Sequence, residues 1–476
     1  MTLASHKTKI VCTIGPASDT PDMIEKMIRA GMNIARLNFS HGDFSGHKRV
    51  IENIRAAELA AGRNVTIMAD LPGPKMRIGS LEPDPVELKA GASFTLTSEQ
   101  INGNEERVSM SFHRLPRVVK LGDRLFLNDG VIELEVMKVE GSDVRCRVVV
   151  GGELRSRKGL NLPGIDLGIS AFTERDHECL KFASESGIDA VSQSFVEAAA
   201  DITAVRNAAA ELGYNPFIIA KIERAEALDH LDAILDAADG IMIARGDLGV
   251  EIPIEEIAHT QKDLMVKAVL CGKPVITATQ MLESMVDHRR PTRAEATDVA
   301  NAILDGTDCV MLSGESAMGK FPVESVAMLA KIAGATEPHR PGYRRYRKRE
   351  FLQSYGLDGN LSQIDLVALS VYFTLERSST AAVFVPTMSG ATARNVARFR
   401  IPVWIAAVSP NYETCQKLQF SYGVCPVHEP EHPGVWNAYV KEWVNAHGLN
   451  GSIALLTEGP SSRNPDANHR MELIDL

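Results

Sequence analysis

"FIIAKIERAE" occupies Phe217–Glu226. It opens with an apolar run, Phe217, Ile218, Ile219 and Ala220, and then sets Lys221 and Glu223 on either side of Ile222. Side chains alternate faces along a strand, so this is a buried strand whose end sends an ammonium and a carboxylate from the same face. The two charges leave the chain about 7 Å apart.

Seven other strand-like runs recur around it: Lys9–Ile14, Asn33–Leu37, Val65–Asp70, Asp189–Ser194, Gly240–Ala244, Pro274–Thr279 and Cys309–Leu312. Amphipathic helical patterns separate them, such as "PDMIEKMIRAG" and "ALDHLDAILDAAD". "PTRAEATDVANAILDG" offers a capping box, Thr292 with Glu295, and stops at a glycine. Strand and helix alternating eight times predict an α/β fold, a closed (β/α)8 TIM barrel rather than an open sheet. The rhythm breaks once. From Leu71 to Asp166 the pattern is β-rich, as in "GASFTLTS" and "VRCRVVVGG", with Gly, Asp and Asn turns. This predicts a β-barrel domain, 71–166, inserted into a barrel made of 1–70 and 167–340. "TEPHRPGYRRYRKRE", Thr336–Glu350, reads as a second boundary, and "AAVFVP", "VWIAAV" and "SIALLT" beyond it predict an α/β domain over 341–476.

The 476 residues exceed one ordinary domain, and 45% hydrophobic with 24% charged residues is ordinary for a globular protein. A net charge of −10 argues against a nucleic-acid binder, which carries a basic surplus. Seven scattered cysteines without CxxC spacing favour free thiols in a reducing compartment. "MTLASHKTKIVCTIG" has no apolar signal region, and no run approaches the roughly 20 apolar residues of a membrane span. The expectation is a cytoplasmic protein with no membrane partner.

In a barrel of this type, chemistry gathers at the C-terminal strand ends. There the sequence places Arg36, Asn38 and Ser40; Asp70; Gln193 and Ser194; Lys221 and Glu223; Arg245 and Asp247; Thr279 and Gln280; Ser313 and Glu315. Glu223 and Asp247 end neighbouring strands and can share a hard divalent cation such as Mg²⁺. Lys221 and Arg36 would face the anion that this ion holds. The bland alternative is a ring of ion pairs bracing the mouth. Two carboxylates, a metal and two cations suit phosphoryl transfer, where positioning and charge neutralisation do most of the work. "GESAMGKF", Gly314–Phe321, nearly matches a phosphate-binding loop, but Phe321 supplies no hydroxyl for Mg²⁺.

Taken together, "TKIVCTIGPAS" (8–18), "GMNIARLNFSHG" (31–42), "KGLNLPG" (158–164), "KIE" (221–223), "IMIARGDLGVEIP" (241–253), "TATQMLESM" (277–285), "PTRAEATDVANAILDG" (291–306) and "MLSGES" (311–316) resemble the pyruvate kinase family, in order. The likeness is tight over the barrel and its insertion and looser beyond. It implies transfer of the phosphoryl group of phosphoenolpyruvate to ADP. Lys221 would stabilise the transferring group, Glu223 and Asp247 would bind Mg²⁺ or Mn²⁺, and Arg36 would contact phosphate. The backbone of Ala244, Arg245, Gly246 and Asp247 would receive the substrate carboxylate. Thr279 would lie near the carbon that takes up a proton, and Ser313 would join a proton relay. Pro16, His41 and Arg77 would line the nucleotide site, which Asp129 and Lys158 approach as the inserted domain closes as a mobile lid. The family's monovalent-cation cage would use Asn38, Ser40, Asp70 and the Leu71 carbonyl. Here "DLPGPK" replaces a motif ending in glutamate, and the resemblance implies that Lys75 makes K⁺ dispensable. Thr387, Ser389, Thr392 and Arg394 in "TMSGATARNVARFR", aided by Glu458–Arg470, would form an allosteric site for a sugar-phosphate activator on the regulatory C-terminal domain. A homotetramer is implied in the same way. Two other classes compete: a barrel enzyme making or breaking C–C bonds in 2-oxo acids, and a catalytically silent metabolite sensor. Neither requires Lys221, Glu223, Asp247, Thr279 and Lys158 together.

Overall fold

The computed structural model describes residues 3–340, 361–431, 433–460 and 468–476. Eight strands, β1 (Lys9–Thr13), β2 (Ile34–Asn38), β3 (Thr66–Leu71), β4 (Ala190–Gln193), β5 (Phe217–Ile222), β6 (Gly240–Ala244), β7 (Val275–Ala278) and β8 (Cys309–Leu312), close into a parallel barrel. Closure is direct, with Lys9 of β1 opposite Cys309 of β8. Both faces of these strands are buried. One set of side chains, including Val11, Ile34, Met68, Ile219, Met242 and Ile276, fills the interior. The other set, including Ile10, Ile67, Ile218, Ile222 and Val310, packs against the surrounding helices. Near-continuous apolar strands follow from that double burial, and polar groups are left to the ends.

The helix caps act as the sequence indicates. Pro21–Ala30 starts at Thr20 and stops at Gly31 (φ 132°). Arg293–Asp305 carries the Thr292–Glu295 capping box and ends at left-handed Gly306. "ALDHLDAILDAAD" departs from the single helix expected: it divides into Glu226–Asp229 and Leu231–Ala237 at His230. Glu226 lies 3.4 Å from Arg224, while Leu231, Ile234 and Leu235 are buried in the barrel core, and the break falls between them.

Between β3 and β4 lies a six-stranded sheet together with a ribbon of Val86–Leu88 and Gly152–Leu154, sharing one core. Bridges from Arg77 to Gly159 and from Ile78 to Met110 join the outer strands of that sheet. The C-terminal unit holds β9 (Thr380–Pro386), β10 (Trp404–Ser409), β11 (Val424–His428), β12 (Ile453–Glu458) and β13 (Arg470–Asp475), in the order β11-β10-β9-β12-β13 with only β13 antiparallel. It closes the N-terminal end of the barrel. Phe420 stacks on Phe217 (5.0 Å, 7°) inside the interior core, and Lys9 Nζ donates to the Val424 carbonyl at 2.6 Å. The boundary read in Thr336–Glu350 falls partly outside the described residues, at 341–350. Among the described residues, no helix is long and apolar enough to cross a membrane.

Candidate active site

With its base blocked, the barrel leaves its C-terminal mouth for chemistry. Lys221, near the end of β5, donates to Ser194 Oγ at 2.7 Å and lies 3.0 Å from Glu223 Oε2 and 3.8 Å from Asp70 Oδ1. Burial alone would push its pKa down. Asp70, Glu223 and Asp247 outweigh that, so the ammonium is held above its ordinary value. Asp70 is in turn gripped by Arg36, through Nε at 3.1 Å and through Nη2, and by Ser192 Oγ at 2.6 Å. Arg36 Nη1 reaches Thr13 Oγ1 at 2.8 Å. A chain of alternating charge thus runs from β2 through β3 to β5.

Glu223 is almost wholly buried, and its Oε1 accepts the Phe195 N–H at 2.7 Å. Its Oε2 pairs with Lys221 Nζ at 3.0 Å. Burial raises its pKa, Lys221 opposes the rise and Asp247 adds to it. The β5–β6 register, Ile222 opposite Ile243, brings Glu223 level with Ala244, and Asp247 follows in the first turn of helix Arg245–Glu251. A buried carboxylate oxygen that is paired with Lys221 and stands beside a second carboxylate fits a divalent cation. Among the described residues, no group of three His, Cys, Asp or Glu side chains could hold a metal. With two hard oxygens from Glu223 and Asp247, a Mg²⁺ would complete its shell from substrate and water.

The loop after β7 is under strain. Thr279 (φ 73°) and Gln280 (φ 54°) occupy the left-handed region, which is a true outlier for a β-branched residue. Arg245 holds that loop, donating to the Ala278 carbonyl at 3.1 Å and the Thr279 carbonyl at 2.8 Å while paired with Asp298 at 2.7 Å. Gly246 is required here, because an added Cβ would stand 2.6 Å from Thr279 Cγ2. The convergence of polar ends therefore divides by task. Arg245 braces. So does Glu315, which accepts the N–H groups of Leu282 (3.0 Å) and Ser313 (2.7 Å), and so does Gln193, which donates to the Ala171 carbonyl at 2.9 Å. These three side chains are occupied by bracing contacts. At Gly319, in the near-match to a phosphate loop, an added Cβ would lie 2.5 Å from the Glu315 carbonyl, so that glycine serves close packing.

Pro16, Arg36, Asn38, His41 and Ser313 line a cavity of about 410 Å³ beside this centre, together with Arg49 and Met318. Burial lowers the pKa of His41, and Lys75, Arg77 and Arg36 lower it further, so four basic groups share this edge. Lys75 is itself depressed, by burial first and then by Arg77 and Lys221, while Asp247 and Glu223 pull the other way. Asn38 pairs in register with Asp70 and accepts the Ser40 N–H at 3.1 Å, and Leu71 ends β3 next to them. Asp129 (φ 57°) and Lys158 lie together on the inserted unit, linked by Asn128 N–H to the Gly159 carbonyl (3.3 Å).

The proposed effector loop sits apart, on the C-terminal unit. Thr387 Oγ1 accepts the Gly390 N–H at 2.8 Å, Arg394 donates to the Ser389 carbonyl at 3.0 Å, and Thr392 is half-buried in the seven-residue helix Ala391–Ala397. Of the second loop, residues 461–467 lie outside the described residues. The sequence reading missed Ser192, Thr13 and Phe195. Ser192 was legible, since it alternates with Ser194 and so shares a face with it. Phe195 was not, because its role lies in a backbone N–H aimed at Glu223 from a left-handed conformation (φ 58°).

This arrangement has counterparts among known proteins. Residues 5–326 match the family model described as pyruvate kinase, barrel domain. The chain belongs to the pyruvate kinase family. Residues 365–461 match the family's alpha/beta domain. A pyruvate kinase of Thermococcus litoralis is 48% identical over 426 residues, covering 90% of this chain and 89% of that one. A pyruvate kinase of Geobacillus stearothermophilus is 43% identical, covering 89% of this chain and 72% of its own. Pyruvate kinase 2 of Synechocystis is 43% identical over 462 residues, 95% of this chain and 76% of that one. Membership makes this chain a phosphotransferase and sets aside the carbon–carbon lyase and the silent sensor.

Proposed function

We propose that this chain transfers the phosphoryl group of phosphoenolpyruvate to ADP, giving pyruvate and ATP as the last step of glycolysis. The supporting observation is the buried meeting of Lys221 with Glu223 and Asp70 at a mouth that Asp247 also charges. Mg²⁺ or Mn²⁺ held by Glu223 and Asp247 would neutralise phosphoryl oxygens and align them. Arg36 contacts the substrate phosphate, and the backbone of Ala244–Asp247 receives the carboxylate. The bond between phosphorus and the enol oxygen breaks as a β-phosphate oxygen of ADP bonds to phosphorus, and Lys221 stabilises the group in flight. The enolate takes a proton at its methylene carbon near Thr279, and Ser313 relays it with water. Pro16, His41 and Arg77 hold the nucleotide, and Asp129 and Lys158 reach it as the inserted lid, 71–166, closes over the barrel.

Lys75 lies close enough to Lys221, Glu223 and Asp247 for their charges to act on it. It supplies the positive charge that K⁺ would otherwise bring to the cage of Asn38, Ser40, Asp70 and Leu71, so K⁺ is dispensable. A sugar phosphate activates through Thr387, Ser389, Thr392 and Arg394, in a cytoplasmic homotetramer. Pyruvate formation coupled to lactate dehydrogenase tests the whole. No turnover at saturating phosphoenolpyruvate, ADP and Mg²⁺, with or without sugar phosphates, would sink it.

A further inference from the structure

Helix Arg245–Glu251 has two ends with different neighbours. Its first turn carries Asp247 at the mouth. Its last turn meets the inserted unit: Gly130, one residue after Asp129, comes so near that an added Cβ would lie 3.2 Å from Val250 Cγ2. Glu251 is buried, with Oε1 3.5 Å from Arg224 Nη1. Among the described residues, Arg224 is the largest of the fully buried side chains. Its Nη2 donates to the Ile165 carbonyl at 3.0 Å, where the chain returns from the insertion to the barrel, and lies 3.4 Å from both Glu197 Oε1 and Glu226 Oε2.

The cluster is incompletely bonded. Arg224 Nε, Glu226 Oε2 and Glu251 Oε2 are buried without hydrogen-bond partners. Native interiors rarely leave such groups unpaired, and one guanidinium facing three carboxylates at 3.4–3.5 Å stands just outside hydrogen-bond reach. A displacement of under about 1 Å would convert these contacts into charge-assisted bonds. The side chain that holds the connection to the insertion thus also touches the far end of the helix that presents Asp247.

We propose that Arg224 and Glu251 are positioning residues that couple substrate seating at the start of helix Arg245–Glu251 to closure of the inserted unit. The proposal rests on the phosphotransfer reading above. Seating pulls the first turn of the helix, the last turn carries Glu251 toward Arg224, and Arg224 draws the Ile165 carbonyl with it. Arg224 and Glu251 touch no reacting atom.

Hydrogen exchange across residues 160–168, with and without phosphoenolpyruvate and Mg²⁺, reads this coupling directly. In the unaltered protein, substrate slows exchange there by about tenfold or more. In Glu251→Gln, which keeps shape and removes charge, phosphoenolpyruvate binds within about twofold of normal by calorimetry, yet the slowing is lost and KM for ADP rises about tenfold. Arg224→Lys keeps the charge but loses the fork, and falls between the two. Should Glu251→Gln fail to fold, Arg224→Lys alone decides: slowing equal to the unaltered protein overturns the proposal. Unchanged slowing in both variants overturns it too, as does a loss of phosphoenolpyruvate affinity matching the rise in KM for ADP. An unaltered protein that never turns over its substrates refutes the phosphotransfer reading instead.

Discussion

Replacing Lys221 by Met removes the one cation among the described residues within 4 Å of Glu223, at 3.0 Å. Asp70 keeps Arg36 and Ser192, but Glu223 keeps only the Phe195 N–H. At an effective dielectric of about 20, a pair at this separation is worth on the order of 5 kcal/mol, part of which relaxation returns. In the proposed transfer the loss would be larger in kind, because the phosphoryl oxygens would face one fixed cation fewer. Single stabilising cations in such reactions are worth about 10³–10⁵ in rate, so kcat should fall by about 4–7 kcal/mol of barrier.

The fold should survive, since the strand is anchored by Ile218, Ile219 and Ile222, none more than 1% exposed. The stranded carboxylates should instead bind divalent ions more tightly. Melting in a Mn²⁺ titration should therefore show a larger stabilisation in Lys221→Met than in the parent, beside a near-dead coupled assay. A variant that retained kcat within about tenfold would refute the placement of Lys221 on the transferring group. A dead variant with weaker Mn²⁺ binding would refute the shared pocket.

Three further expectations follow from the same geometry. Rates in K⁺-free buffer should match those with K⁺, and Lys75→Glu should make activity depend on added K⁺; a loss of several decades in the parent, restored by K⁺, would reverse the assignment. Gly246→Ala forces a Cβ to within 2.6 Å of Thr279 Cγ2, which Arg245 prevents from yielding, so kcat/KM for phosphoenolpyruvate should fall by about 10² and stability by about 1–3 kcal/mol. Burial raises the pKa of Glu251 from 4.5 to about 7. Because the folded form holds a proton that the unfolded chain has already lost, its contribution is present in full below pH 4.5 and lost as pH rises through about 7. Glu251→Gln should flatten the decline in unfolding free energy over that window, by up to roughly 3 kcal/mol; an unchanged slope would contradict the burial.

The barrel was legible because its signal is redundant. Each strand repeats the apolar run demanded by burial on both faces, and caps such as Thr292 with Glu295 and Gly306 mark helix ends by local chemistry alone. The division at His230 was not legible. It depends on Glu226 turning toward Arg224 while Leu231 and Ile234 are buried, and period counting along one segment cannot see a neighbour's charge. The six-stranded sheet of the insertion was legible as β-structure, but the bridges of Arg77 and Ile78 to opposite edges are non-local.

At the site the limit is of another kind. Strand ends told which polar residues reach the mouth, but not which of them face inward. Arg245 and Asp247 are two residues apart, yet one pins the strained Thr279 loop and the other charges the pocket around Lys221. That distinction follows from backbone conformation. A left-handed Thr279 is held only if something fixes its carbonyl, and Arg245 does so from the adjoining strand's end. The same holds for Phe195, whose positive φ delivers an N–H to Glu223 that no side-chain pattern announces. Strain at Phe195 lies beside the Glu223 carboxylate, and strain at Thr279 and Gln280 lies in the loop that Arg245 braces. Releasing it should therefore cost activity before stability: Thr279→Gly, which relieves the strain and removes the hydroxyl and methyl, should leave or raise the melting temperature while lowering kcat. Thr279→Ser, which restores the hydroxyl without the methyl, then separates loss of position from loss of chemistry, and full activity in both variants would show that the strained conformation serves neither.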